Sequence, residues 1–367
     1  MSSKDIHKDV FDESTFDKLK IFQDYTKEWL PVFIKARTLY WKTINIIDFF
    51  AGPGHDSAGN AGSPELILKE LAIYNDAIKE RGLKVNVYLN EFKKAKFTEL
   101  KAYVESVSPT FPNINIEISN LDFKEAYANW EKHLTGTDAA NLVFFDQNGI
   151  KHMSGDLFKK IITFKRTDFL FFVSSSHARR FCEHESISQY LTLNKAEIDS
   201  TPFYQIHRLI QEYYKSLIPT TLEFHLGRFS LKKNSGNING IIFGSGHPLG
   251  MEKFLKTAWK VDHERGEANY DIDEEGISPS KVDLFSGVIK PKKIEAFENE
   301  LTQMIKGKKL VTDKDIYLFS LQNGILPTDA TRILKEMHKN RVIKAFAGSL
   351  NSNVCKKNAV LNKIELF

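Results

Sequence analysis

One short stretch does most to restrict what this chain can fold into: Ile44-Asn-Ile-Ile-Asp-Phe-Phe-Ala-Gly-Pro-Gly54. An apolar run reaches a carboxylate, Asp48, and passes directly into Ala51-Gly52-Pro53-Gly54. Continuous apolar runs of this length belong to strands buried on both faces of a parallel sheet. Small residues at the strand exit let backbone approach a ligand, and in an open α/β sheet that exit is where nucleotide-like ligands bind. The stretch departs from the dinucleotide fingerprint G-x-G-x-x-G, because Ser57 stands where the last glycine would.

Strand and helix signals alternate on both sides of this stretch. Apolar residues at Leu19, Phe22, Tyr25, Trp29, Leu30 and Phe33 predict a helix over 17–39. Strand 43–49 and a loop 54–62 precede a helix over 63–81, with Ser63 as N-cap and Pro64 at the first helical position. Strands are expected at 85–89, 114–118, 141–145 and 169–173, and helices at 93–107, 123–134 and 155–164. A helical stretch, 204–217, leads to two strand-like runs, 222–231 and 237–243, joined by the polar turn Lys232-Lys-Asn-Ser-Gly236. Repeated β-α units closed by a hairpin predict an α/β, Rossmann-like core with a seven-stranded sheet, parallel with an antiparallel hairpin, in the order 3-2-1-4-5-7-6.

Beyond it lie a helix at 250–261, an acidic segment at 263–276 read as a linker or ordered loop, and a charged helix at 291–305. Helices at 313–322 and 327–340 and strand-like runs at 342–346 and 359–367 read as a winged helix. The expected divisions are therefore an N-terminal helical segment (1–42), the Rossmann-like domain (43–262), a linker and helix (263–304) and a winged-helix-like domain (305–367). The two domains among them suit a chain of 367 residues.

Charge is distributed unevenly. From Ile305 onward twelve Lys and Arg face five Asp and Glu, a balance of +7 in a chain of formal charge +4. A basic module on a near-neutral body fits a polyanion such as nucleic acid, or simply a solvated surface. Arg332, Lys335 and Lys339 fall three and four apart, on one helical face. The 28 phenylalanines imply an aromatic interior or a stacking surface. Cys182 and Cys355, without metal-like spacing, fit a reducing cytoplasm. The polar N-terminus carries no signal-peptide pattern, and no apolar run nears the roughly 18 residues of a membrane span, so no membrane partner is expected. A G-x-S-x-G nucleophile elbow and a P-loop are absent, and no acid/Lys cluster supports a nuclease.

Asp48-x-Phe-x-Gly-x-Gly54 resembles motif I of the class I, S-adenosylmethionine-dependent methyltransferases. That resemblance implies S-adenosylmethionine as cofactor. Asp48, Phe49, Ala51, Gly52 and Gly54 would meet its methionine portion, Glu91 after the second strand its ribose hydroxyls, and Asp122 after the third its adenine amine, with Phe92 flanking the ring. Each acid alone also reads as a strand-end or helix-capping residue. Asp146, in Phe144-Phe-Asp-Gln-Asn-Gly149, holds the place of the polar head in the Asn/Asp-Pro-Pro-aromatic motif of amino-group methyltransferases, but Gln147-Asn148 replaces both prolines. The alternative is a turn built on Asn148-Gly149. After the fifth strand, Ser175, Arg179 and Arg180 make an anion or phosphate seat, and His177 is either a base or structural.

The chain also resembles the three-Cys-motif partner proteins, TcmP. The residues that carry this are Asp48-Phe-Phe-Ala-Gly-Pro-Gly with Gly62-Ser-Pro64, Phe145-Asp-Gln-Asn-Gly-Ile-Lys151, Asp168-Phe-Leu-Phe-Phe-Val-Ser-Ser-Ser176 with Arg179-Arg-Phe181, and Gly250-Met-Glu-Lys-Phe-Leu-Lys-Thr-Ala-Trp259 with Asp262. This second resemblance implies a partner bearing a three-cysteine motif, and a methyltransferase-like core of no fixed activity. The chain is therefore expected to be a methyltransferase-like protein acting on nucleic acid, or a catalytically silent scaffold of the same fold that binds nucleic acid or protein.

Overall fold

The apolar runs become β1 (Thr43–Asp48), β2 (Lys84–Asn90), β3 (Ile114–Ser119), β4 (Ala139–Phe145), β5 (Thr167–Val173), β6 (His225–Lys232) and β7 (Ile238–Ser245). They form one seven-stranded sheet in the order β3-β2-β1-β4-β5-β7-β6. Neighbours among β1 to β5 pair in parallel, and β7 enters antiparallel between β5 and β6. This is the Rossmann-like class I methyltransferase arrangement expected from the sequence, and β1 and β4 adjoin at its switch point. The computed structural model describes residues 11–146, 152–184, 190–273, 292–344, 346 and 348–367. By its contacts the chain divides into Met1–Gly246 and His247–Phe367.

Among the described residues of the first unit the helices are α1 (Glu13–Ile34), α2 (Ser63–Ala72), α3 (Asn75–Glu80), α4 (Lys94–Val107), α5 (Phe123–Leu134), α6 (Gly155–Ile161), α7 (Ser175–Phe181), α8 (Lys195–Ser200) and α9 (Ile206–Ser216). Three differ from expectation for visible reasons. The first stops at Ile34, where the Arg81 guanidinium takes the carbonyls of Ile34 and Ala36. The helix expected over 63–81 breaks at Ile73-Tyr74, leaving Ile73 exposed while Tyr74 and Ile78 turn inward. The stretch after β5 winds into α7, whose first turn is closed by Ser174 Oγ accepting from the His177 N–H at 3.3 Å.

The core is aromatic, as the phenylalanine count implied. Phe49 stacks on Phe145 at 5.2 Å, and Phe158 and Phe171 flank Tyr214, both at 4.9 Å. Where β5 meets β7, Phe169 lies across from Gly244, and a Cβ there would fall 2.2 Å from the ring. Only glycine fits under that ring.

A row of amides crosses the same sheet. Asn115 Nδ2 donates to Asn86 Oδ1 (3.3 Å), Asn86 Nδ2 to Asn45 Oδ1 (2.8 Å), Asn45 Nδ2 to Asn141 Oδ1 (2.9 Å) and Asn141 Nδ2 to Thr167 Oγ1 (2.9 Å). All are in-register neighbours on β3, β2, β1, β4 and β5. Asn45, Asn86 and Asn141 are buried. A slip of one residue would turn every amide to the other face, into apolar packing.

In the second unit, α10 (Pro248–Val261), α11 (Lys292–Lys306), α12 (Asp313–Gln322) and α13 (Pro327–Lys339) pack together. The contacts thus group α10 with the C-terminal helices, whereas the sequence division at 262/263 places it with the Rossmann-like domain. Part of the acidic segment is ordered by one buried carboxylate: Asp262 accepts from the N–H groups of Glu264, Arg265, Glu267 and Ala268. Its residues 274–276 lie outside the described residues. The expected strands 342–346 and 359–367 reduce, among the described residues, to the single bridges Thr312↔Lys363 and Ile343↔Leu366. The closing segment divides its pairing, first with 311–313 and then with 342–344, so neither ladder grows. Among the described residues no helix is long and apolar enough to cross a membrane.

Replacing Asn45 by Ala should destabilise the first unit by about 2–4 kcal/mol, since it strands a buried donor on Asn86 and a buried acceptor on Asn141. Chemical denaturation of wild type and variant measures this, and an unchanged midpoint would show that the amide row does not hold the register.

Candidate functional site

The turn after β1 takes its shape from glycines. Gly52 (φ 66°) and Gly54 (φ 97°) occupy left-handed backbone, and a Cβ on Gly54 would press on the Tyr103 ring at 3.3 Å. The Gly62 N–H donates to Gly54 O at 2.7 Å, and His55 bridges Ala61, so loop 54–62 is pinched shut at its base. Inside the pinch, Asp56 Oδ1 accepts from the N–H groups of Ala58 (2.9 Å) and Asn60 (2.8 Å), and Oδ2 from Asn60 Nδ2 and the Phe11 N–H, both at 2.8 Å. Burial pushes this carboxyl up, but the hydrogen bonds, Asn60's side chain foremost, outweigh it and hold it at about 2. Asp56 is not among the residues the motif singles out, although Asp-x-x-x-Asn between glycines is a turn-forming signature.

Asp48 ends β1 fully buried. Its Oδ1 accepts from the Phe50 N–H at 2.9 Å and its Oδ2 from Ser63 Oγ at 2.6 Å. Ser63 therefore does not cap α2; Gly62 is the N-cap and the serine hydroxyl serves Asp48 instead. Burial raises the Asp48 carboxyl to about 7 despite both bonds, with Asp146 pushing the same way and Lys18 opposing. Phe49 does not reach the site. Its ring lies in the aromatic core, and only its backbone touches this edge.

Glu91 is the best-placed carboxylate. Its Oε2 accepts from the Gly52 N–H at 3.1 Å and its Oε1 from the Lys93 N–H at 2.7 Å, so it joins the glycine turn to the end of β2. The Ala51 N–H reinforces this by donating to Asn90 O at 2.9 Å. Each carboxylate oxygen has acceptor capacity beyond one N–H. Beside it, Phe92 leaves 68% of its surface exposed. Asn120, which the motif also leaves out, holds this corner by donating to the carbonyls of Glu91 (2.6 Å) and Phe92 (2.8 Å). Asp122 stands next along the edge, where its Oδ1 caps α5 by accepting from Lys124 N–H (2.7 Å) and Glu125 N–H (3.2 Å).

At the end of β4, Asp146 accepts from Lys18 Nζ at 2.5 Å. The Lys18 side chain is only 6% exposed and its ammonium lies 5.1 Å from the Phe172 ring centre. Nothing in the local sequence links a lysine on α1 to a residue 128 positions away. Gln147 to Lys151 lie outside the described residues.

The residues after β5 go to separate partners. Ser175 is buried, and its Oγ has no hydrogen-bond partner among the described residues. Ser176 Oγ accepts from the Ile238 N–H at 2.7 Å. Arg179 covers the Phe203 ring at 5.4 Å, while Arg180 donates to Ser176 O and to Asn237 Oδ1. His177 packs on Phe181 with ring centres 4.8 Å apart. In the C-terminal unit, Arg332 donates to Glu336 (3.1 Å) and Asp329 (3.5 Å), so only Lys335 and Lys339 of the predicted basic face are left without an acidic partner among the described residues. No group of three potential metal ligands occurs among the described residues.

No protein-family model matches the chain, and no curated protein matches it. Solved structures similar to it include the O-methyltransferase TomG from Streptomyces achromogenes in complex with SAM, at 9% identity over 63% of this chain and 89% of that one, TM-score 0.31. A second is an rRNA methylase from Streptococcus thermophilus, at 9% identity over 61% and 94%, TM-score 0.30. SCL7 from Oryza sativa is a third, at 11% identity over 62% and 79%, TM-score 0.32. The fold assignment rests on the strand order itself.

Asp48 gives the fold a pH signature. Below about pH 4 its carboxyl is protonated whether the chain is folded or not. Between about 4 and 7 only the unfolded chain releases the proton, so stability falls as pH rises and levels off above 7. Asp48→Asn should remove this slope and gain up to about 4 kcal/mol on wild type between pH 4 and 8. Denaturation across that range tests it; parallel curves would mean that Asp48 is ionised throughout.

Proposed function

We propose that this chain binds S-adenosylmethionine at the carboxyl ends of β1, β2 and β3 and methylates nucleic acid. The observation that carries the reading is Glu91, a carboxylate fixed by the Gly52 and Lys93 N–H groups with an exposed aromatic, Phe92, beside it. An acid after the second strand with acceptor capacity left on both oxygens fits a pair of ribose hydroxyls. Phe92 offers the adenine a face, and Asp122 offers its Oδ2, since Oδ1 alone caps α5. The backbone at Gly52 and Gly54 gives the methionine portion a surface without side chains, with Asp48 beneath it.

When bound, the cofactor supplies an electrophilic methyl group. What this chain adds is position and charge. At the β4 exit, Lys18 already donates to Asp146, which leaves that carboxylate less suited to receive a target amine and sets a cation that would favour the deprotonated form of a hydroxyl acceptor before methyl transfer. The nucleic-acid assignment rests on the +7 balance of the C-terminal module and on the winged-helix pattern that its sequence suggests. The resemblance to TcmP adds a three-Cys-motif partner. This chain has only Cys182, buried, and Cys355, both free thiols, as suits a reducing cytoplasm.

A second reading, a silent scaffold of the same fold, is favoured by the pinched loop 54–62 and by the Lys18–Asp146 pair. Calorimetry with S-adenosylmethionine and S-adenosylhomocysteine separates the two. Wild type should bind both, and Glu91→Ala should weaken binding by roughly 2–4 kcal/mol through loss of two charge-assisted hydrogen bonds. Absence of heat with either compound, or equal binding by the variant, sinks the cofactor assignment and leaves the scaffold.

A further inference from the structure

Two helix ends in the C-terminal unit are built alike. After α11, the Lys308 N–H bonds Ile305 O and the Lys309 N–H bonds Met304 O, each at 2.9 Å. After α13, the Arg341 N–H bonds His338 O at 3.0 Å and the Val342 N–H bonds Met337 O at 2.9 Å. This is the Schellman pattern, whose left-handed residue is usually glycine. Here Lys308 (φ 54°) and Arg341 (φ 56°) take that position. The end of α12 keeps to the usual rule, with Gly324 (φ 66°) in the same pattern. A side chain in this backbone region carries a steric cost that glycine lacks, and Gly307 sits one residue too early to relieve it.

Both turns lie at one end of the closing ladder. Segment 311–313 runs antiparallel to 362–364, and segment 342–344 runs antiparallel to 365–367. The two flanking segments therefore run the same way, and each begins from one of the basic turns. Lys306 and Lys309 accompany Lys308, and Lys339 accompanies Arg341; all five are exposed. None of them has an acidic partner among the described residues. The carboxylates of the ladder are engaged elsewhere. Asp315 accepts from the N–H groups of Val311 and Thr312, Asp313 from Asn362, and Glu365 pairs with Lys344.

We propose that this end of the C-terminal unit is the seat for a nucleic-acid phosphate backbone, with Lys308 and Arg341 as its fixed contacts and Lys306, Lys309 and Lys339 around them. It rests on the nucleic-acid part of the reading above and moves the contact from the face of α13, where Arg332 is neutralised, to the helix ends. Because the backbone of each turn is already fixed by its two hydrogen bonds, little backbone freedom is lost when phosphate binds.

The test is fluorescence anisotropy of the full chain with a labelled DNA duplex of about 20 base pairs and an RNA hairpin, over about 50–200 mM salt. Lys308→Gly/Arg341→Gly suits the backbone and should fold with an unchanged or higher melting temperature, and Lys308→Asn/Arg341→Asn provides a second variant. Each double variant should bind about tenfold more weakly at low salt and flatten the salt slope by about 2. Lys79→Ala/Lys84→Ala, which removes the same charge from exposed positions in the first unit, should leave binding unchanged. Wild-type affinity in both helix-end variants, or an equal loss in the control pair, overturns this seat while the nucleic-acid reading stands. No binding by wild type, or binding to anionic vesicles alone, overturns both; cofactor calorimetry answers its question independently.

Discussion

The buried amide row is the constraint on which the rest depends. A parallel sheet of apolar strands has little in its sequence to choose between registers two residues apart, because alternate positions are all greasy. Asn115, Asn86, Asn45, Asn141 and Thr167 remove that freedom, since each finds its neighbour in only one alignment. Fixing the strands near their amino ends also fixes where their carboxyl ends stop. Asp48 then comes beside Leu89 and Phe144, and Asn90 beside Ser119. The candidate site is assembled along that aligned edge.

Along the edge, backbone does as much as side chain. Glu91 is held by two N–H groups and Asp56 by three, and Asp122 closes a helix end. Carboxylates fixed by amides need no counter-cation and keep their geometry without one. Asp48 is the exception. It is buried with a hydroxyl and a single N–H, and it titrates far above its usual range for that reason. The Lys18 ammonium, close enough to act on Asp48, pairs with Asp146 instead.

Much of this was legible in the chain. Periodicity marked the strands, and the glycines after β1 marked the exit turn, because a buried strand and a left-handed turn each restrict local composition. That Glu91 stands just past β2 was legible from its place in the alternation. Phe49 was misplaced because an apolar residue beside a motif looks the same whether it faces ligand or core. Ser63 reads locally as a cap because its competing partner, Asp48, is fifteen residues away. Lys18 and the asparagine row left no local trace at all, since their meaning lies in long-range pairing. The closing strands of the C-terminal unit were overestimated, because composition records the preference to extend but not the scarcity of neighbours to pair with.

The first helix is tied to the site twice. Asp56 takes the N–H of Phe11, just ahead of α1, and Asp146 takes the ammonium of Lys18, within its second turn. One tie reaches the loop after β1 and the other the exit of β4, on either side of the switch point. The helix is thus tied to the carboxyl edge of the sheet and does not merely cover its face. A shift of Phe11 or of the first two turns of α1 would therefore loosen the loop after β1 and the exit of β4 together.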